Sequence, residues 1–389
     1  MCFLASLISQ GSRFRRLAWL LLGITMLSGT LAVQRAECLE DSARAVKLGA
    51  PVRILRVPGH IQALAFSADG KLLAASWSPF SWRTKGGRLS VWNARTGKLI
   101  RHIRTKVDVV VTALSPDGTM LAGFGYGEVP VPGQGRVFSG SMGVWNVKTG
   151  RPKINLVTSM LYPTLAFSPN GKVLALAGTS KGVEDVILYN TATWRQIGAL
   201  HFSAGTMLHA AFSPDGKRLA SLAGERHGLI LAIRDVDTGK QVFTFNDSAD
   251  LPVSDKAGRL TANFLWFTRM MSGNPLFFIS RTTLICGSYY IDLSSPKSGP
   301  KRLFRSDELR WPVEVYNYAN GLVLYAAATK SERPLGFELW DVRSGKLKRK
   351  WKWGLQQAGD IIWLMDFSLR DRLLAGPQSD ATIGLWRLD

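Results

Sequence analysis

The sequence predicts an all-β fold: seven units of four antiparallel strands, closed by a strand from the N-terminal side. Three observations carry that prediction. Residues 208–245 read as four short apolar runs joined by hairpin turns. The turns of that stretch recur along the chain, and recurrence at a fixed spacing marks a repeat architecture. The repeats also begin with one strand too many and end with one too few.

Leu208–Ser213 is the first apolar run of the unit, and Pro214-Asp215-Gly216-Lys217 is a tight turn. Arg218–Ala223 and Leu229–Val236 follow as the second and third runs. Asp237-Thr238-Gly239-Lys240 turns the chain again, and Gln241–Phe245 closes the unit. Each turn residue has a local reason. Pro presets φ, Asp or Asn bonds its own backbone, and Gly supplies positive φ. The first turn returns as Ser67-Ala68-Asp69-Gly70-Lys71, Ser115-Pro116-Asp117-Gly118-Thr119 and Ser168-Pro169-Asn170-Gly171-Lys172. The second returns after a tryptophan, as Trp92-Asn93-Ala94-Arg95-Thr96-Gly97-Lys98, as Trp145–Arg151 and as Trp340–Lys346.

Trp-Asp or Trp-Asn followed by a Thr/Ser-Gly-Lys turn resembles the WD-repeat (WD40) family, here in an exported, bacterial-type form. The resemblance covers about residues 52–389. It implies a β-propeller, four-stranded blades around a central channel. Third strands are marked by Trp92, Trp145, Tyr189, Arg234, the region of Ile291, Trp340 and Trp386, which makes seven blades. Blade five is inferred from a double-length gap, with strands at Phe264–Phe278 and Thr283–Leu293 and Gly273 in its first turn. A six-bladed ring with one large insertion also fits. Most blades lack the family's Gly-His dipeptide. Where Gly59-His60 supplies it, His60 is expected to bond within blade one.

In chain order, Arg13, Arg15 and Arg16 precede the uncharged apolar run Leu17–Val33. A basic flank, an apolar core and small residues at Thr30-Leu31-Ala32 are the parts of a secretory signal. The run is short of the ~20 residues that span a bilayer comfortably. Residues 1–32 are therefore read as a signal peptide, with an uncleaved anchor as the alternative. Either places the rest outside the cytoplasm. Residues 33–51 read as a polar linker and 52–389 as the propeller. Val52–Val57 alternates apolar and basic residues and is expected to pair beside the last strand, Thr382–Leu388, because an unclosed blade leaves a bare sheet edge. Cys2, Cys38 and Cys286 form no metal motif; a Cys38–Cys286 bridge and a buried Cys286 thiol both stay open.

Two surfaces are candidates for binding. In each blade, the first and third turns share one face of the disc, and here they are short and uniform. The opposite connections are long and varied: 76–88, 123–141, 178–185, 224–228, 246–262 and 329–336. Variable loops on a rigid scaffold are where binding sits. The first holds Trp77, Phe80, Trp82, Arg83, Lys85 and Arg88, and the second Tyr126, Arg136 and Phe138. Aromatics with arginine anchor interfaces; the plainer reading packs them under their own loops. The second candidate is a basic rim, Lys346, Lys348, Lys350 and Lys352, on one side of an outer strand. Its plainer reading is an edge that discourages strand-to-strand aggregation.

The formal charge of +21 and pI of about 10.2 favour anionic partners. Nucleic acid suits the charge but not export. No catalytic constellation is present. The five histidines include no metal spacing, and Gly123–Gly143 lacks the strand-to-helix setting of a phosphate loop. The reading is thus a non-enzymatic scaffold for a protein partner outside the cytoplasm, with no cofactor and no metal. The alternative is a basic, envelope-associated binder of anionic polymer or membrane surface.

Overall fold

Both faces of a four-stranded sheet with an apolar third strand must be covered, and sheets stacked side by side in a ring cover each other. A computed structural model of the chain shows that ring. It describes residues 46–79, 87–131, 135–158, 160–180, 183–202, 206–225, 228–246, 276–286, 289–295, 298–302, 309–319, 321–329, 336–352, 365–379 and 381–388.

Two strands precede the blades: β1 (Val46–Lys47) and β2 (Arg53–Arg56). Blade one is β3 (Gly59–Phe66), β4 (Leu72–Pro79), β5 (Arg88–Asn93) and β6 (Leu99–Arg104). Blade two is β7 (Asp108–Leu114), β8 (Met120–Val131), β9 (Gly135–Asn146) and β10 (Pro152–Thr158). Blade three is β11 (Leu161–Phe167), β12 (Val173–Ser180), β13 (Val183–Asn190) and β14 (Gln196–Phe202). Blade four is β15 (Thr206–Phe212), β16 (Arg218–Glu225), β17 (Gly228–Asp235) and β18 (Gln241–Asn246). Blade five is β19 (Leu276–Phe278), β20 (Thr283–Cys286), β21 (Tyr289–Asp292) and β22 (Lys301–Arg302). Blade six is β23 (Leu309–Ala319), β24 (Leu322–Thr329), β25 (Gly336–Asp341) and β26 (Lys346–Lys352). Blade seven has β27 (Asp366–Ser368), β28 (Leu373–Ser379) and β29 (Thr382–Arg387), completed by β2. The protein is a seven-bladed, all-β propeller of four-stranded antiparallel sheets.

All seven third-strand markers lie in third strands. Closure also follows the alternation of residues 52–57: β2 pairs antiparallel with β29, Arg53 opposite Leu385 and Arg56 opposite Thr382. Ring closure thus joins the two ends of the repeat region through backbone hydrogen bonds.

The first turn is a closed polar unit. Ser67 Oγ donates to Asp69 Oδ1 at 2.7 Å and accepts from Leu72 N at 3.0 Å, while Asp69 Oδ1 also accepts from Lys71 N. Blades two to four repeat it through Ser115–Asp117, Ser168–Asn170 and Ser213–Asp215. Gly70 sits at φ 70°, where a Cβ is strained. The second turn hangs on Asn93, whose Oδ1 accepts from the N–H groups of Arg95 and Thr96.

Three details depart from the sequence reading. Blade five starts at Leu276, its first turn runs through Ser280–Thr282, and residues 283–293 hold two short strands rather than one. Gly273 and Phe264 lie outside the described residues. The stretches 123–141, 178–185 and 224–228 are mostly not loop: β8 and β9 pair from Met120–Asn146 out to Val131–Gly135, β12 and β13 out to Ser180–Val183, and β16 and β17 out to Glu225–Gly228. The glycines that disguise the first of these admit close neighbours: a Cβ on Gly125 would strike the Asp108 carbonyl. Finally, Val46–Lys47 adds a fifth, parallel strand to blade six, opposite Trp351 and Lys352. Leu48 then enters the core between blades six and seven, beside Trp351, Phe337 and Trp386.

Candidate partner-binding face

Trp77 in β4 lies opposite Arg88 in β5, so the first aromatic of the variable stretch is part of a strand pair. It is 7 % exposed, and its indole N–H donates to Ser90 Oγ at 2.8 Å. Indole can only donate, so Ser90 Oγ accepts it, and the hydroxyl makes a second bond whose direction follows the histidine tautomer. Its partner is His102 Nδ1 at 2.7 Å on β6, and the imidazole stands edge-on to Trp77 with centroids 6.3 Å apart. Serine on histidine is half of an activated nucleophile. Here Ser90 is fully buried and carries the indole N–H on its oxygen, so the chain of bonds braces three strands. Trp77 is therefore placed in the core and not on the partner face. His60 is exposed at the start of β3, opposite Ser78.

Arg88 is half-buried, with Nη1 on the Gly87 carbonyl at 2.9 Å. Gly87 in turn exchanges backbone bonds with the connection to blade two, donating to Val107 O and accepting from Thr105 N. Val107 packs in one cluster with Leu89, Val109 and Val129. The end of the blade-one stretch is thus fixed, through Val107, against the outer half of the β8–β9 hairpin. Tyr126 is half-buried on β8, its ring T-shaped against fully buried Phe124 at 5.5 Å. Arg136 and Phe138 lie on β9, opposite Pro130 and Glu128. The structure therefore places the described ends of the first stretch, Ser76–Pro79 and Gly87–Arg88, on the blade next to the β8–β9 hairpin. Phe80, Trp82, Arg83 and Lys85 lie outside the described residues.

The lysine rim is partly neutralised from within. Lys350 Nζ lies 3.0 Å from Glu338 Oε1, the side chains 30 % and 7 % exposed, and the other Glu338 oxygen accepts from Trp340 Nε1 at 3.1 Å. Lys348 lies 3.7 Å from Asp341, and Arg349 stacks over the Trp351 ring at 5.2 Å. Lys346 and Lys352 are exposed. Sequence reading missed Glu338, though a carboxyl two residues before a marker tryptophan, across from a lysine, is a legible signal. The same position is Gly143 or Gly384 where the tryptophan ring folds back onto its own strand.

The seam between blades seven and one holds two more acids. Asp371 Oδ1 accepts from Arg95 Nη2 at 2.8 Å across the turn face. Asp366 stands where the aligned blades carry Ala65, Ala113, Ala166 and Ala211. Its Oδ2 accepts from Phe66 N at 2.6 Å and its Oδ1 from Phe367 N at 2.8 Å. Burial pushes this carboxyl up to about 6, against those two N–H groups. At Asp69 burial pushes the same way, but bonds from Ser67 and Lys71 and the Lys71 charge outweigh it and hold the acid at about 2. Burial lowers His209 to about 4, leaving a neutral imidazole in the core. Arg234, in a tryptophan position, spends Nη1 on the carbonyl of Gly239 in its own turn. Among the described residues no group of three His, Cys, Asp or Glu could hold a metal ion. Cys286 is a buried thiol, and Cys38 lies outside the described residues.

With the geometry in view, comparison with known families is informative for one stretch. Residues 49–93 match WD40, the WD domain, G-beta repeat. That WD40 match runs from before β2 to the end of β5, so the repeat unit straddles two blades: the outer strand of blade seven and the first three of blade one. This stagger is what closes the ring. No curated protein matches the chain. Among solved structures, a chain in the crystal structure of the mitotic checkpoint complex aligns with a TM-score of 0.59, over 89 % of this chain and 98 % of that one. At 15 % identity the likeness shows the fold alone.

Proposed function

We propose that this chain is a non-enzymatic scaffold that holds a protein partner outside the cytoplasm. The observation that carries the reading is the asymmetry of the two faces. On one, uniform Ser-Asp-Gly and Asn-Thr-Gly turns are closed by their own hydrogen bonds. On the other, the β8–β9 hairpin runs twelve residues a side and packs Val129 of its outer half in one cluster with Val107. The proposed contact comprises Tyr126, Arg136 and Phe138 with Phe80, Trp82, Arg83, Lys85 and Arg88. The fold supports this, since WD40 propellers commonly act as interaction scaffolds, and the structural neighbour sits in a protein assembly. The chemistry supports it too, because in the Ser–His pair described in blade one the serine is fully buried and its oxygen already holds the Trp77 indole N–H. Export rests on the basic flank and apolar run of residues 13–33.

Affinity capture of the tagged full chain from its producing cell tests both parts. Trp82→Ala should abolish capture of a specific protein while Lys348→Glu retains it. Loss only in Lys348→Glu, with steep salt dependence, would move the contact to the basic rim. Chain found free in the cytoplasm would remove the export reading.

A further inference from the structure

The rim at the seam of blades six and seven has a composition that scaffold packing does not require. Arg53 and Leu55 on β2 abut Gly97 of blade one. Strand alternation therefore turns Val52, Ile54 and Arg56 the other way, toward blade six. There β1 lies on the outer edge of β26, with Leu48 sealing the floor between the blades. Val46, Val52 and Ile54 are 46 %, 54 % and 51 % exposed, three of the most exposed large apolar side chains among the described residues. Arg56 is exposed on the same face, and Lys47 and Lys352 are exposed on the β1–β26 edge, whereas Arg53 bonds through Nε to the Arg95 carbonyl of blade one. Residues 46–68 contain no Asp or Glu.

We propose that this seam is a membrane-contact site, where the propeller rests edge-on upon an anionic bilayer. Val46, Val52 and Ile54 enter the headgroup layer, and Lys47, Arg56 and Lys352 meet lipid phosphates. Apolar side chains interspersed with cations are the pattern of interfacial binding. Where the arm leads selects this occupant over a protein. Val46 is bonded to the rim, and thirteen residues upstream ends the apolar run Leu17–Val33. That tether spans at most ~47 Å. On the anchor alternative for Leu17–Val33, on which this inference rests, the run stays in the bilayer and the seam is the part of the propeller at the root of the tether. Attraction over a Debye length of ~8 Å at physiological salt then holds it down.

The test uses the full chain reconstituted into vesicles of phosphatidylcholine, with or without phosphatidylglycerol. Surface lysines are acylated and read by peptide mass spectrometry. Lys47 and Lys352 should be protected about threefold or more only in the anionic vesicles, and high salt should restore labelling. Lys153 and Lys240, exposed on blades two and four, should label equally in both. Val52→Asp/Ile54→Asp should lose the protection. If that variant does not fold, Arg56→Glu, on the same face, should weaken it. Equal labelling in both vesicle types overturns the proposal. So does protection in neutral vesicles that rises with protein density, which would assign the seam to a second copy of the chain.

Discussion

Single residues decide whether the rim lysines serve the fold or a ligand. Lys350 belongs to the fold, because it neutralises Glu338 beneath Trp340. Removing one partner of a buried pair leaves an uncompensated charge, worth about 3 kcal/mol, whereas an exposed pair contributes ~0–1 kcal/mol. Lys350→Ala should therefore lower stability by about 2–3 kcal/mol, discounted for its partial exposure, and Lys348→Ala by under about 0.5 kcal/mol. Equal chemical-denaturation midpoints for the two variants would show that Glu338 does not depend on Lys350. Asp366 sets a pH dependence of the opposite sense to the turn aspartates. Its folded-state value is raised to about 6, so the folded protein binds the proton more tightly than the unfolded chain. Its contribution is best at low pH and is lost as pH rises from about 4 through 6. Asp69, held at about 2, does the reverse, and its contribution is lost as pH falls from about 4 toward 2. Asp366→Asn keeps an acceptor for Phe66 N without the charge. Its stability advantage over the wild type should grow by on the order of 2 kcal/mol between pH 4 and pH 7. A pH-independent difference would show that Asp366 is not a buried, titrating carboxyl.

At the scale of elements, β2 and β1 do different amounts of closing. β2 supplies a four-residue ladder to β29 and buries Leu55 and Val57; β1 supplies two residues and the Leu48 side chain. Deleting residues 52–57 should abolish the folded monomer, since it bares β29 and severs the ring. Leu48→Ala should leave a folded monomer, destabilised by the ~2–5 kcal/mol typical of a buried leucine. A folded, monomeric deletion product by gel filtration and circular dichroism would contradict the closure. The closing strand was legible because Val52–Val57 alternates and the last repeat lacks a fourth strand. Blade five was legible only as a gap, because Phe278-Ile279-Ser280 is followed by Arg-Thr rather than Asp-Gly. The long hairpin was hidden by Gly123, Gly125 and Gly127, which read as loop until their close contacts are seen. Trp77 misleads for a related reason: a tryptophan at the end of a strand has the same composition whether it anchors a partner or its own sheet. Its Ser90 acceptor is set by spacing across two strands, which a linear reading does not supply.

For the whole molecule, the ring separates stability from recognition. Turns on one face close themselves, and Arg95 with Asp371 ties that face across the seam. The other face is left to carry the projecting hairpin. Ser90, Glu338 and Asp366, which offer chemistry by type, are committed to bonds inside or between blades. A protein partner, on the proposed function, meets the hairpin face. A photo-crosslinking residue placed at Tyr126, and separately at Thr238 in the turn of blade four, tests it in the producing cell. Both sites lie on the same blade scaffold and differ in face. The account predicts a discrete protein crosslink from position 126 and none from position 238. A crosslink from 238 with none from 126, in chains that fold equally well, would contradict it.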